Sequence, residues 1–526
     1  MLEKINKFLA CKKYLWIVLI AITVIGIFFR TYNFHDWLPF NMDQGRDAIL
    51  IGSVANGTRP LPLLGPEAGG TDFYLGPMPY YFQIISVKLF GNSPDKMAYP
   101  DLFSSILCIP LLFFFLRKYF NLKISLALTT LFSLSTYAIT ISRFAWNPNS
   151  TPFWTILGFY GILNVLSQKN TSRLFWAIIA GLAIGVGVQL HTTFLLFFPL
   201  TTIVLFAILF ARKINLLKYF FIILAVSLIL NIPQFIGEYR THGHNTAEFF
   251  KGIQNKPVHT TSLSKNIMRN SSCWIESGIV ILSGYEISGA CEISTRDNLV
   301  DLGLFVIGIV FTFGGILLGI RYLRQEKDED KKYFLTIIFL YLAVAYLIYI
   351  PLAQTLSTRY FVMLIFFPFI FLGLWIKFLA EKLSKNAAYF LLIFLLLLFT
   401  TNSYFNWKAF NTFSNYEKGN ESNIGNVTLK EMEGISQFII SNSAGEKEVY
   451  LTGNKRYLFK SINSIRFLVE KSGTKLIEID STGEDTTRGK IFRLHTANKE
   501  KELSKKIPAI QYVSAGRFLV YLSPSK

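Results

Sequence analysis

Eleven stretches of this chain are apolar and almost free of charge, and they leave little choice of fold. They run from Tyr14 to Phe29 and near 97–116, 124–141, 150–166, 174–190, 193–211, 218–233, 299–320, 333–350, 360–376 and 387–405. A helix needs about 20 residues to cross about 30 Å of hydrocarbon, and each stretch is near that length, some only with help from flanking residues. Asp101, close to one end, is an acid that falls inside them. Composition agrees, since 52% of the 526 residues are hydrophobic and only 16% are charged. The expected fold is therefore an all-α polytopic membrane protein with about 11 transmembrane helices. The net charge of +19 does not indicate a nucleic-acid partner, because no basic stretch is interleaved with base-stacking aromatics. Lys and Arg instead collect in cytoplasmic loops.

Charge also sets the topology. Lys4, Lys7, Lys12 and Lys13 precede the first span and place the N-terminus in the cytoplasm. Phe28-Phe29-Arg30-Thr31 offers no small-x-small cleavage site, so this span reads as an uncleaved anchor. Pro77 to Phe90 is apolar but short, and it contains Lys88, which suits an interfacial or re-entrant helix. With that segment at the surface, the basic loops at Arg117–Lys123, Lys169–Arg173, Arg212–Lys218, Arg321–Lys332 and Lys377–Lys385 all face the cytoplasm. Four regions then lie outside: a first loop over 30–96, short turns at Ser142–Asn149, His191–Thr192 and Pro351–Arg359, a large loop over 234–298, and the tail. Residues 1–405 form the membrane domain. Residues 406–526 are polar, with alternating runs at Glu448–Leu451 and Arg517–Leu522 and helical patterns near Leu429–Ser441 and Tyr457–Lys471, which reads as a small extracytoplasmic α/β domain. Cys11 is cytoplasmic and Cys108 lies inside a span, while Cys273 and Cys291 share the large outside loop, where they can form a disulfide or stay free.

Outside charges gather in loops rather than at depth, which disfavours ion or proton translocation. They suit a reaction at the outer boundary of a plasma membrane. The first loop brings Asp43, Arg46, Asp47, Glu67 and Asp72, and the turns bring Arg143, His191 and Arg359. A carboxylate beside a hydroxyl acts as a general base. Arg and His neutralise a leaving phosphate. Plainer readings stand beside these: solvated loop charges for Asp43 and Asp47, headgroup anchors for Arg143 and Arg359, a turn cap for His191, and aromatic-belt positions for Trp37, Tyr80, Tyr81 and Trp146.

The motifs have a familiar order. Asp43-Gln44-Gly45-Arg46-Asp47-Ala48 is followed by Leu64-Gly65-Pro66 and Gly76-Pro77-Met78-Pro79-Tyr80-Tyr81-Phe82. Ser142-Arg143-Phe144-Ala145-Trp146-Asn147-Pro148, Gln189-Leu190-His191-Thr192 and Thr358-Arg359-Tyr360 come later. Over roughly residues 1–405 this resembles the protein O-mannosyltransferase and aminoarabinose-transferase superfamily, glycosyltransferase family 39, of GT-C fold. The resemblance implies a sugar donor on a polyprenyl phosphate, an inverting displacement, and an extracytoplasmic glycan, lipid or protein as acceptor. It makes Asp43 the catalytic residue and draws Arg46, Asp47, Tyr80, Tyr81, Arg143, Asn147, Gln189, His191, Arg359 and Tyr360 into substrate binding. No cofactor is required by this reading, and a divalent metal remains open. One departure stands out: many members have Glu after the catalytic Asp, where this chain has Gln44, which carries no charge and takes no proton. Asp47 is then a substitute second carboxylate. The rival readings are a lipid-linked-sugar flippase and a non-catalytic envelope assembly protein. A flippase is expected to carry inverted repeats or broken helices with buried charges, and neither is evident in the sequence.

Overall fold

The computed structural model describes residues 12–69, 71–255, 261–287, 291, 298–382, 385–419, 425–443, 445–480, 489–497 and 511–523. Lys4, Lys7 and Cys11 lie outside the described residues.

Each expected span falls on helix. Among the described residues five helices are long and apolar enough to cross a membrane alone: Tyr14–Thr31, Tyr99–Leu116, Thr192–Ala211, Leu299–Gln325 and Glu329–Tyr349. Two bent pairs, Leu217–Leu230 with Ile232–Arg240 and Thr358–Leu364 with Phe366–Lys382, raise that number to seven. Leu122–Leu134, Thr151–Leu166 and Arg173–Gly187 are apolar but shorter. The chain is a multi-pass membrane protein; the count of 11 rests on the sequence pattern.

Two expectations change. Arg30 does not begin a loop. It belongs to the helix Lys12–Thr31, is fully buried, and donates to Ser105 Oγ at 2.9 Å and to the Gly26 and Ser133 carbonyls at 3.1 and 2.8 Å. The first helix thus runs past its expected end at Phe29 and closes on a buried charge, which is held by hydrogen bonds as such a charge must be. The region 234–298 is not simply a loop either. It contains the helices Ile232–Arg240, His244–Asn255 and Leu263–Ser283. Polar residues hide the last of these from a hydropathy reading, yet they are buried and bonded: Asn270 donates to the Tyr346 carbonyl, and Glu276 accepts from the Cys291 amide. The Sγ atoms of Cys273 and Cys291 are joined as a disulfide that ties this helix to the segment after it.

The connections sort into two groups. At one end Gln44 Nε2 donates to the Ala145 carbonyl at 3.2 Å, Asn147 to the Leu190 carbonyl, and Asn245 exchanges hydrogen bonds with the Tyr74 backbone. The rings of His191 and Tyr360 lie 6.1 Å apart at the same end. At the other end Lys118 bonds Asn164, Ser167 bonds Asp330, Lys377 bonds Tyr119 and Tyr322 bonds Glu381. These are the segments that the charge pattern assigned to opposite faces.

The tail packs on the first end. Its strands β1 (Glu448–Gly453), β2 (Lys475–Glu478), β3 (Ile491–Thr496), β4 (Tyr512–Ala515) and β5 (Phe518–Leu522) form one sheet in the order β2-β1-β3-β5-β4. β1 is parallel to both β2 and β3, and β5 is antiparallel to β3 and β4. The helices Leu429–Asn442 and Lys455–Glu470 cover it. This unit has no separate core: Phe34, Leu38, Phe40, Ile51 and Val54 of the first loop share one buried apolar cluster with Met432, Ile465, Phe492 and Val520 of the tail. Backbone bonds join them as well, from Leu429 N to the Leu38 carbonyl and from Phe40 N to the Val427 carbonyl. Arg517 and Glu431, 1% and 2% exposed, form a bidentate pair, and the same guanidinium lies 3.4 Å from the Tyr416 ring at the end of the Lys385–Glu417 helix.

Single cysteines placed at the exposed positions Lys169, Arg212 and Glu329 are expected to react with an impermeant maleimide from one side of the membrane, and cysteines at Glu67, Arg240 and Lys455 from the other. Labelling of either set from both sides would break the two-group arrangement.

Candidate active site

The acidic motif is helical, although the sequence suggested a loop. Met42–Ala55 is a helix with Asn41 at its N-cap. Gln44 supplies a capping interaction, its Oε1 accepting from the Asn41 amide at 3.2 Å, while its Nε2 holds the Ala145 turn. One amide side chain thus both accepts and donates, a pairing unavailable to an ionised Glu. Asp43 lies in the first turn, where a negative charge is favoured by the free amides and the helix dipole.

Charge order follows helix spacing. Arg46 reaches back to Asp43 Oδ1 at 3.2 Å and forward to Asp47 Oδ1 at 3.0 Å. Tyr80 donates to the same Asp47 oxygen at 3.0 Å. Asp43 remains 61% exposed, whereas Asp47 is 22% exposed. Burial raises the Asp47 carboxyl above its ordinary range, opposed by the Arg46 guanidinium and the Tyr80 hydrogen bond. The Tyr80 hydroxyl is also raised, by burial and then by Asp47. Asp43 is the accessible carboxylate and Asp47 the enclosed one.

A cavity of about 620 Å³ opens at this helix end. Asp43, Arg46, Asp47 and Glu67 line it from the first loop, Asn147 from one turn, His191 and Thr193 from a second, and Arg359 and Tyr360 from a third. His191 is also the N-cap of the helix Thr192–Ala211, accepting from the Thr193 amide, so its capping role and its place in the cavity coexist. The Arg359 guanidinium lies 5.3 Å from the Tyr360 ring, in a 3-10 segment held by Tyr137 bonding the Thr358 carbonyl and Tyr349 bonding the Tyr360 carbonyl. A second cavity, of about 560 Å³, shares Arg46, Asp47 and Glu67 with the first and is walled by Leu50, Leu61, Leu63, Leu64, Tyr80 and Arg240.

Three expected substrate residues are elsewhere. Arg143 is 4% exposed and spends its guanidinium on the carbonyls of Phe29, Arg30, Tyr32 and Asn33, so it caps the end of the first helix. Gln189 is fully buried, accepting from the Met78 amide and donating to the Gly185 and Leu230 carbonyls. Tyr81 donates to the Pro62 carbonyl and braces the loop. Asp72 is exposed and does not line either cavity. Asp101 accepts from the Trp146 amide and shapes the turn that presents Asn147. Sequence reasoning missed Phe249 and Phe459 as lining residues; neither lies near a charged motif of the membrane part. Among the described residues no three His, Cys, Asp or Glu side chains are grouped so as to hold a metal ion.

The architecture has solved counterparts. ArnT from Cupriavidus metallidurans aligns over 98% of this chain and 100% of its own, at 12% identity, with TM-scores of 0.52 without ligand and 0.54 bound to undecaprenyl phosphate. The oligosaccharyltransferase of Archaeoglobus fulgidus aligns over 96% of this chain and 72% of its own, with a TM-score of 0.51 at 13% identity. This is the GT-C glycosyltransferase fold. In sequence, residues 75–236 match the dolichyl-phosphate-mannose-protein mannosyltransferase family. That stretch of the GT-C core includes Tyr80, Asn147 and His191 but neither Asp43 nor Arg359. No curated protein matches the sequence significantly.

The Tyr80 hydrogen bond favours the Asp47 carboxylate, so Tyr80→Phe is expected to raise the Asp47 pKa further. A lost hydrogen bond to a charged group, about 1.5 kcal/mol, moves the Asp47 titration up by roughly one pH unit, as read by difference infrared spectroscopy. A titration that stays in place would mean that Tyr80 does not stabilise the Asp47 charge.

Proposed function

We propose that this chain is an inverting glycosyltransferase that takes a sugar from a polyprenyl-phosphate donor, with Asp43 as general base. The observation that carries the reading is the single cavity that gathers Asp43, Arg46, Asp47, Asn147, His191, Arg359 and Tyr360 from four separate regions of the chain. Undecaprenyl phosphate bound to ArnT supports a lipid-linked donor.

In the proposed step an acceptor hydroxyl approaches the anomeric carbon from the side opposite the phosphate. Its oxygen bonds to that carbon as the bond from the carbon to the phosphate oxygen breaks, and its proton passes to the Asp43 carboxylate. Polyprenyl phosphate leaves as a dianion, and Arg359 with His191 stabilises that charge. Arg46 holds both carboxylates in place through its two ion pairs. The second cavity adjoins the first at Arg46, Asp47 and Glu67, which offers a separate approach to the site. The basic connections at the far end put that end in the cytoplasm by the positive-inside rule, so the reaction takes place at the outer face and the tail is extracytoplasmic.

The test is transfer from polyprenyl-phosphate sugars by purified protein in nanodiscs. Asp43→Asn is expected to cut turnover by about 10²–10⁴ while donor binding and fold persist. Wild-type rates in that variant would remove the assignment. For Arg359→Ala, loss of a charge-assisted contact to the leaving phosphate predicts a roughly tenfold to hundredfold drop in kcat/KM. Unchanged kinetics there would return Arg359 to a headgroup anchor.

A further inference from the structure

The tail reaches into the catalytic cavity at one point. Phe459 lines it, together with Asp43, Arg46, His191 and Arg359. On the helix Lys455–Glu470 the buried apolar positions Leu458, Ile462, Ile465 and Val469 follow helical spacing toward the core. Phe459 stands off that face and is 64% exposed. Packing within the tail therefore does not account for an aromatic ring here, in a cavity that also holds the rings of Trp146, Phe249 and Tyr360 beside its carboxylates and guanidinium groups.

The helix that carries this ring is tied directly to the acidic helix. Ser464 Oγ, on the same helix, donates to the Phe40 carbonyl at 2.6 Å and to the Asn41 carbonyl at 3.0 Å, at the start of Met42–Ala55. Gly45, between Asp43 and Arg46, lets the two helices touch backbone to backbone: a Cβ there would lie 2.4 Å from Ser464 N and 2.6 Å from the Asn463 carbonyl carbon. Phe467 packs edge-on against Phe40 at 6.1 Å. Whatever position Asp43 takes, Phe459 is registered to it.

We infer that Phe459 is a platform for the hydrocarbon face of a sugar ring, and that the C-terminal domain is thereby part of the transferase site. A pyranose has polar hydroxyls at its rim and polarised C–H groups on its faces. An aromatic ring with a negative face attracts those C–H groups, and Phe459 is the ring that the tail presents beside Asp43 and Arg46. The ring belongs either to the sugar being transferred or to a sugar of the acceptor, and the chemistry is the same for both. This inference rests on the reading of the cavity as a glycosyl-transfer site.

The experiment uses the full chain in nanodiscs with dolichyl-phosphate mannose, dolichyl phosphate and octyl mannoside as probes. Phe459→Ala is expected to raise KM about three- to tenfold for the probe whose sugar stacks, with kcat and Tm near wild type and dolichyl phosphate affinity unchanged. A rise for dolichyl-phosphate mannose assigns the platform to the donor sugar; a rise for octyl mannoside assigns it to the acceptor. Phe459→Tyr keeps a ring and is expected to stay within twofold of wild type, whereas Phe459→Leu behaves like Phe459→Ala. Unchanged KM for both sugars overturns the inference, and so does full rescue by Leu, which would mean that bulk alone matters. The Asp43→Asn variant separates the two levels. Turnover that depends on Asp43 but not on Phe459 sinks only the platform; absence of any wild-type action on the lipid-linked sugar sinks the underlying reading.

Discussion

The site depends on how the first helix ends. The last carbonyls of a helix have no partners within it, and at the edge of a membrane they need partners from elsewhere. Arg143 supplies them for Phe29 and Arg30, and reaches on to the Tyr32 and Asn33 carbonyls of the turn that follows. Buried in the turn between two other helices, it fixes the direction in which the chain leaves the bundle and so where Met42–Ala55 begins. Burial lowers its pKa only to about 10, which leaves it charged at neutral pH and able to hold four carbonyls. The arginine expected to bind substrate instead builds the platform from which Asp43 is presented.

Gln44 reassigns another position in the same way. Read as one half of an acidic pair, it looked like a lost catalytic group. In the structure it accepts from the Asn41 amide and donates to the Ala145 carbonyl, which joins the helix start to the turn bearing Asn147. The second carboxylate of the site is one turn further on, at Asp47, enclosed by Arg46 and Tyr80.

Hydropathy made the membrane helices legible, because burial in lipid writes itself as a run of apolar side chains. It missed Leu263–Ser283, whose buried Asn270 and Glu276 side chains bond to other protein groups. Strand alternation revealed β1 and β5 but not β2, β3 or β4, which are short and lie between polar segments. Within the site, Asp43, Arg46, His191 and Arg359 were readable from residue chemistry and order. Arg143, Gln189 and Tyr81 were not separable from them, since a residue that braces a site and one that lines it carry the same signal in one sequence. Phe459 was invisible, because only the tertiary fold brings the tail to the first loop.

That shared core also governs how the protein is made. Phe40 and Ile51 leave the ribosome early, yet the residues that bury them, Ile465, Phe492 and Val520, come last. At roughly 5–20 residues per second the first loop waits tens of seconds for its partner surface. Until then the acidic helix has only early neighbours such as Tyr80, Ile84 and Met97 against its apolar side. A chain cut short after its last membrane helix would insert but would lack the surface that closes the first loop. The first loop thus closes fully only once the strands of the tail lie against it.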